Sequence, residues 1–91
     1  MISLTHTEYP DYVRVTVVGN PDGTTNLEEL PVMQVGSSKV VIVGGNVPEW
    51  LKRAVADRYR NARAVAIKQE ERAIVTMTNS DDIAEGSTIY V

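Results

Sequence analysis

The cationic side chains of this chain are gathered in one stretch. Of its nine Lys and Arg, seven lie between Lys52 and Arg72: Lys52, Arg53, Arg58, Arg60, Arg63, Lys68 and Arg72. Three acids share that window, Asp57, Glu70 and Glu71, whereas the 91-residue chain as a whole has a formal charge of −3. A local positive surplus on an acidic protein suits a small anion or a short phosphodiester held at one place. It argues against duplex DNA, which requires a broad positive face. The competing reading is solvated helix charge, offset by i,i+4 pairs such as Glu49–Arg53 and Arg53–Asp57. Just upstream, Gly44-Gly45-Asn46 separates an apolar run from Val47-Pro48-Glu49-Trp50-Leu51. A strand that hands over to a helix through glycines leaves backbone N–H groups free at the helix start, and such donors favour phosphate. The same glycines also serve as plain turn chemistry.

What the chain lacks narrows the chemistry further. It has no cysteine, which excludes disulfides, thiolate zinc sites and a cysteine nucleophile, and fits a reducing cytoplasm. Its one histidine, His6, falls on a terminal strand and reads as a surface residue rather than a ligand. Phenylalanine is absent and aromatics make up 5% of the chain, too few for a base-stacking platform of the RNA-recognition type. No run approaches the roughly 18 apolar residues of a membrane helix, and residues 1–10 lack the order of a signal peptide. The expectation is a soluble, cytoplasmic protein of one domain, residues 1–91, with a modest core.

The elements that must position these residues follow from periodicity. Ile2 to His6 alternates as a strand, Glu8-Tyr9-Pro10-Asp11 turns, and Tyr12 to Val18 is a β-branched strand ending at Gly19-Asn20-Pro21-Asp22-Gly23. The two strands pair as a hairpin. Asn26 to Leu30 reads as a short helix capped by Thr25 or Asn26. Lys39 to Val43 is continuously apolar and predicts a strand buried on both faces. A helix is predicted from Pro48 to about Asn61, with Trp50, Leu51, Ala54, Val55 and Tyr59 facing the core and Lys52, Arg53, Ala56, Asp57 and Arg60 on the other side. Ala64 to Ile67 and Ala73 to Met77 predict two more strands joined by residues 68–72, and Thr88 to Val91 a last one. The order β-β-(α)-β-α-β-β-β describes an α/β domain with a mixed sheet. Its strand–helix–strand unit from Lys39 to Ile67 places two strands parallel with a right-handed crossover.

From Val40 to Val91 the chain resembles the small ring-nuclease family associated with type III CRISPR systems. The likeness rests on Val-Ile-Val-Gly-Gly-Asn-Val-Pro-Glu-Trp-Leu, the helix ending Asp57-Arg58-Tyr59-Arg60-Asn61, the Ala-Val-Ala-Ile strand with its hairpin, and Ser80-Asp81-Asp82-Ile83-Ala84-Glu85-Gly86. The resemblance implies a small dimer that binds cyclic tetra-adenylate and cleaves it to linear di-adenylate with manganese assistance, ending an antiviral signal. It also implies head-to-tail assembly on the ligand. Where family members carry a histidine late in the helix, this chain has Arg60 and Asn61. Where they carry an acid at the end of the first hairpin strand, it has Lys68-Gln69, and where a second histidine is usual it has Thr78-Asn79-Ser80. The resemblance therefore suggests Arg60, Asn61 and Gln69 as catalytic positions. Gly44, Gly45, Asn46, Arg58, Lys68, Asn79 and Ser80 become ligand contacts. Two other readings stand beside it: a binder that sequesters the ring without cutting it, and a dimeric protein-interaction module that uses the acidic N-terminal half.

Overall fold

In the computed structural model, which describes residues 2–19, 30, 32 and 34–90, six strands form one sheet in chain order. They are β1 (Ile2–Glu8), β2 (Tyr12–Gly19), β3 (Val40–Gly44), β4 (Ala64–Gln69), β5 (Arg72–Thr78) and β6 (Thr88–Tyr90). A single α-helix, α1 (Glu49–Ala56), continues into a 3-10 turn at Asp57–Tyr59. The expected α/β domain with a mixed sheet is what forms. β1 and β2 make the predicted hairpin, β2, β3 and β4 run parallel, β5 pairs antiparallel with β4, and β6 antiparallel with β5. All but Leu30 of the short helix expected at Asn26–Leu30, and all but Gly19 of the turn at Gly19–Gly23, lie outside the described residues.

Strand alternation sorts the side chains onto two faces. Val13, Val15 and Val17 of β2, Val41 and Val43 of β3, and Val65 and Ile67 of β4 pack with Leu51, Val55, Ala56 and Tyr59 of the helical layer. Ile42, Ala64, Ala66, Ala73 and Val75 face the other way and make a smaller cluster with Tyr12, Val40, Ile83 and Ile89. β3 is therefore covered on both sides, as its unbroken apolar run requires. A bulge between Val65 and Ala66 sets Thr76 out of register on β5, and the Thr76 hydroxyl donates to the Val65 carbonyl at 3.3 Å. The extra residue turns Met77 toward the helix face while Ala73 and Val75 stay on the open one.

Three expectations are corrected. The α-helix is shorter than Pro48–Asn61, with Pro48 standing just before it and its carbonyl accepting the first bonds, from Leu51 N at 3.1 Å and Lys52 N at 3.3 Å. Trp50 does not face the core: it is 58% exposed, and Ala56, expected on the solvent side, is buried. A helix of about two turns can lay only one narrow stripe on the sheet. Leu51 and Val55, four apart, define it, and Trp50 is rotated about 100° away from Leu51. Finally, His6 is not a free surface residue. It follows Ile2 and Leu4 on the helix-facing side of β1, and its Nε2 lies 2.7 Å from the Tyr59 hydroxyl in a partly buried hydrogen bond. Burial lowers its pKa from the ordinary value of 6.5 and so favours the neutral ring, whose tautomer sets which of the two groups donates.

Candidate phosphate-binding site

Because Val13, Val15 and Val17 turn toward the helix, the intervening Arg14 and Thr16 stand on the open face of a central strand. The parallel register sets Arg14 beside Ile42 and Thr16 beside Gly44. On β4 the same alternation sends Lys68 to that face after Ala64 and Ala66, and the position of a Cβ on Gly44 would lie 3.4 Å from the Lys68 Cβ. Lys52 reaches the strand ends from α1, its Nζ donating to the Lys68 carbonyl at 3.2 Å. These groups, with Gly45 and Glu70, enclose a cavity of about 290 Å³ at the carboxyl ends of β3 and β4. Open parallel sheets bind ligands at that end of their strands.

The charge in this cavity is lopsided. Arg14, Lys52 and Lys68 meet a single carboxylate, Glu70, and among the described residues none of the three cations is held in an ion pair. The Arg14 Nε is buried and, among the described residues, has no hydrogen-bond partner. A buried donor left unpaired costs about 1–3 kcal/mol, so an acceptor that reaches it is favoured. Glu70 stands in the two-residue turn joining β4 to β5 with φ of 60°, a left-handed conformation that costs a side-chain-bearing residue about 1–2 kcal/mol. Gly45 has a different task. Its φ is 134°, and a Cβ there would lie 2.3 Å from the Val17 carbonyl oxygen, so the chain leaves β3 against the β2 backbone where no side chain fits.

The positions singled out from the sequence do not form one cluster. Gly44, Gly45 and Lys68 line the strand-end cavity, whereas Asn46 is exposed beside a shallow groove along Val18 and Gly19. Arg58, Arg60 and Asn61 surround a depression after the 3-10 turn, where the chain approaches the start of β4. Ala64 and Lys68 are four residues apart on β4, which separates the two ends by roughly 13 Å. Arg60 Nε donates to the Asp57 carbonyl at 3.1 Å. Asn79 serves the frame near that end: its Nδ2 donates to the Arg60 and Ala62 carbonyls at 2.7 and 2.9 Å. The Ser80 hydroxyl lies 3.4 Å from Arg63 Nε and 3.3 Å from the Asp82 amide, and Gln69 donates to the Glu49 carboxylate at 2.6 Å.

Arg14, Thr16 and Glu70 were missed as site residues, and Lys52 was read as one of many helix charges. The polar alternation of Tyr12-Val13-Arg14-Val15-Thr16 was the available signal. Once β2 is a central strand, its even positions must face something other than bulk water at an edge. The manganese suggested by the resemblance finds no set of donors here: among the described residues no three His, Asp or Glu side chains gather closely enough to hold a metal ion. The cavity offers one carboxylate among three cations, a donor set that repels a divalent cation, and His6 is engaged with Tyr59.

Residues 20–90 match the family described as CRISPR-associated protein, Cas_csx3. No curated protein matches the chain. Arg14 and Thr16 lie ahead of the matched segment.

Proposed function

The chain belongs to the Cas_csx3 family of CRISPR-associated proteins, and from that premise we propose that it binds cyclic tetra-adenylate, with the phosphates of the ring held at the strand-end cavity. The observation that carries this reading is the convergence of Arg14, Lys52 and Lys68 around a buried, unpartnered guanidinium nitrogen. Phosphate oxygens would supply an acceptor for the Arg14 Nε and counter-charge for the two ammoniums, of which Lys52 also donates to the Lys68 carbonyl. A ring of four equal nucleotides presents two equal halves, so an isologous dimer with two such cavities matches its symmetry, at one ring per two chains.

Opening the ring requires no external nucleophile. A ribose O2′ attacks its adjacent phosphorus, the O5′ of the next nucleotide leaves and takes up a proton, and the O2′ proton passes to solvent. A 2′,3′-cyclic phosphate end remains. The protein's part is to hold O2′ in line and to neutralise the phosphate. Arg60 and Asn61 stand at the far end of β4 from the cavity, so in this reading they act on a ring held by a neighbouring copy stacked head to tail. Gln69, at the cavity end, orients through its bond to Glu49.

The test is incubation with cyclic tetra-adenylate, with and without manganese, resolving products and complexes. Ligand at 100 times its dissociation constant should raise stability by about 2.7 kcal/mol. Lys68→Ala should weaken binding by about tenfold or more, as loss of a charge-assisted hydrogen bond does. If cutting acts across stacked copies, a mixture of Lys68→Ala and Arg60→Ala proteins recovers cleavage that each lacks alone. An intact ring in a stable complex would make the protein a sequestering binder. Neither complex nor product would leave the interaction module as the better account.

A further inference from the structure

The strand-end cavity is too small for the ring proposed to bind there. Its volume of about 290 Å³ lies at the lower edge of the range for small-molecule pockets, roughly 300–1,000 Å³, so four nucleotides must lie across its rim. A chain end has no such restriction and can enter. The charge lining the cavity also suits one dianionic group, where the ring would need two diesters side by side along the rim: three cations face one carboxylate, a surplus of two. A phosphodiester carries one negative charge, whereas a terminal phosphomonoester carries roughly −1.5 to −2 at neutral pH and has three terminal acceptor oxygens.

We infer that the cavity is a site for a terminal phosphomonoester, the phosphorylated end of a linear nucleotide, held by Arg14, Lys52 and Lys68. This rests on the proposal that the cavity faces nucleotides, and it adds a regulatory consequence. Ring opening by a ribose hydroxyl leaves a 2′,3′-cyclic phosphate, which still carries a single charge. Hydrolysis of that end adds water across one P–O bond and gives the dianion that the cavity matches. The fully processed linear product therefore occupies the cavity and competes with the ring, whereas the cyclic-ended product departs. Lys52 helps set this selectivity because its ammonium is tethered to the Lys68 carbonyl at the cavity wall. The buried Arg14 Nε has no acceptor among the described residues.

The experiment is competition calorimetry on the intact protein with 3′-AMP, 2′,3′-cyclic AMP and inorganic phosphate, each with and without cyclic tetra-adenylate. The expected result is that 3′-AMP displaces the ring and binds at least tenfold more tightly than 2′,3′-cyclic AMP at pH 7.5. That preference should shrink as pH falls through the second phosphate pKa near 6. Inorganic phosphate should compete weakly at the same site, with 3′-AMP tighter where the nucleoside contributes. Lys52→Met and Arg14→Gln should each weaken 3′-AMP by about tenfold or more, while Arg53→Gln, outside the cavity, leaves it unchanged. Lys52 stands on the helix surface, so its variant remains informative if Arg14→Gln fails to fold. Equal affinity for the cyclic and opened phosphates overturns the inference, as does ring binding that 3′-AMP does not disturb, and the second of these leaves the ring proposal standing. Tight 3′-AMP binding with no ring binding supports the inference and removes the ring proposal. Binding of neither removes both.

Discussion

At the scale of single residues, two backbone positions show how the cavity is built. Gly45 is held at φ 134° with the Val17 carbonyl where a side chain would begin. Gly45→Ala must both adopt a conformation that L-residues rarely take and move a neighbouring strand. The cost should be about 3 kcal/mol or more, read as a lower urea midpoint with an unchanged slope. Gly44 is unlike it, since a Cβ there meets the Lys68 side chain at an ordinary 3.4 Å contact. The Gly-Gly pair, legible in the sequence as a turn, thus contains one glycine the fold requires and one that leaves room beside Lys68. Residue types alone do not separate the two, because the difference lies in how close β2 comes after the chain has folded.

Among the elements, α1 shows where periodicity succeeds and where it overreaches. Its existence and the burial of Leu51, Val55 and Tyr59 were legible from apolar spacing. The placement of Trp50 was not, because hydropathy ranks tryptophan as a core residue and the sheet accepts only the stripe it touches. Leu51→Ala should therefore destabilise by about 2–5 kcal/mol, whereas Trp50→Ala should change stability by no more than about 0.5 kcal/mol. Paired denaturant titrations would check this, and a large loss at Trp50 would contradict its exposure. The hairpin between β4 and β5 is tighter than the five-residue link expected, because pairing extends through Gln69 and Arg72 and leaves only Glu70 and Glu71 to turn. That tightening brings Glu70 to the cavity.

Across the whole molecule, a polar contact joins Ile2 and Leu4 in tying the first strand to the helical layer. His6 on β1 meets Tyr59, 53 residues later, and its burial lowers the histidine pKa below 6.5. Folding thus favours the neutral ring. The associated stability is fully present above pH 6.5 and is lost as pH falls below it toward the folded pKa. Thermal melts of the protein and of His6→Gln should differ by a constant amount above about pH 7 and converge toward pH 5; parallel curves over that range would refute the assignment. The sequence by itself determined the order of the six strands and α1, the hairpin, the doubly buried β3 and the parallel β3–α1–β4 unit, because each follows from local periodicity and turn chemistry. Its basic cluster pointed to phosphate, but as one region. Only the tertiary structure decided that Lys68 and Arg60 stand at opposite ends of β4 and that Lys52 crosses to the strand ends. It also brought Arg14, 38 positions before Lys52, to complete the cavity. Charge along a chain is read in order, whereas a parallel sheet brings together side chains from distant segments by strand register and by face, and those are set by long-range pairing.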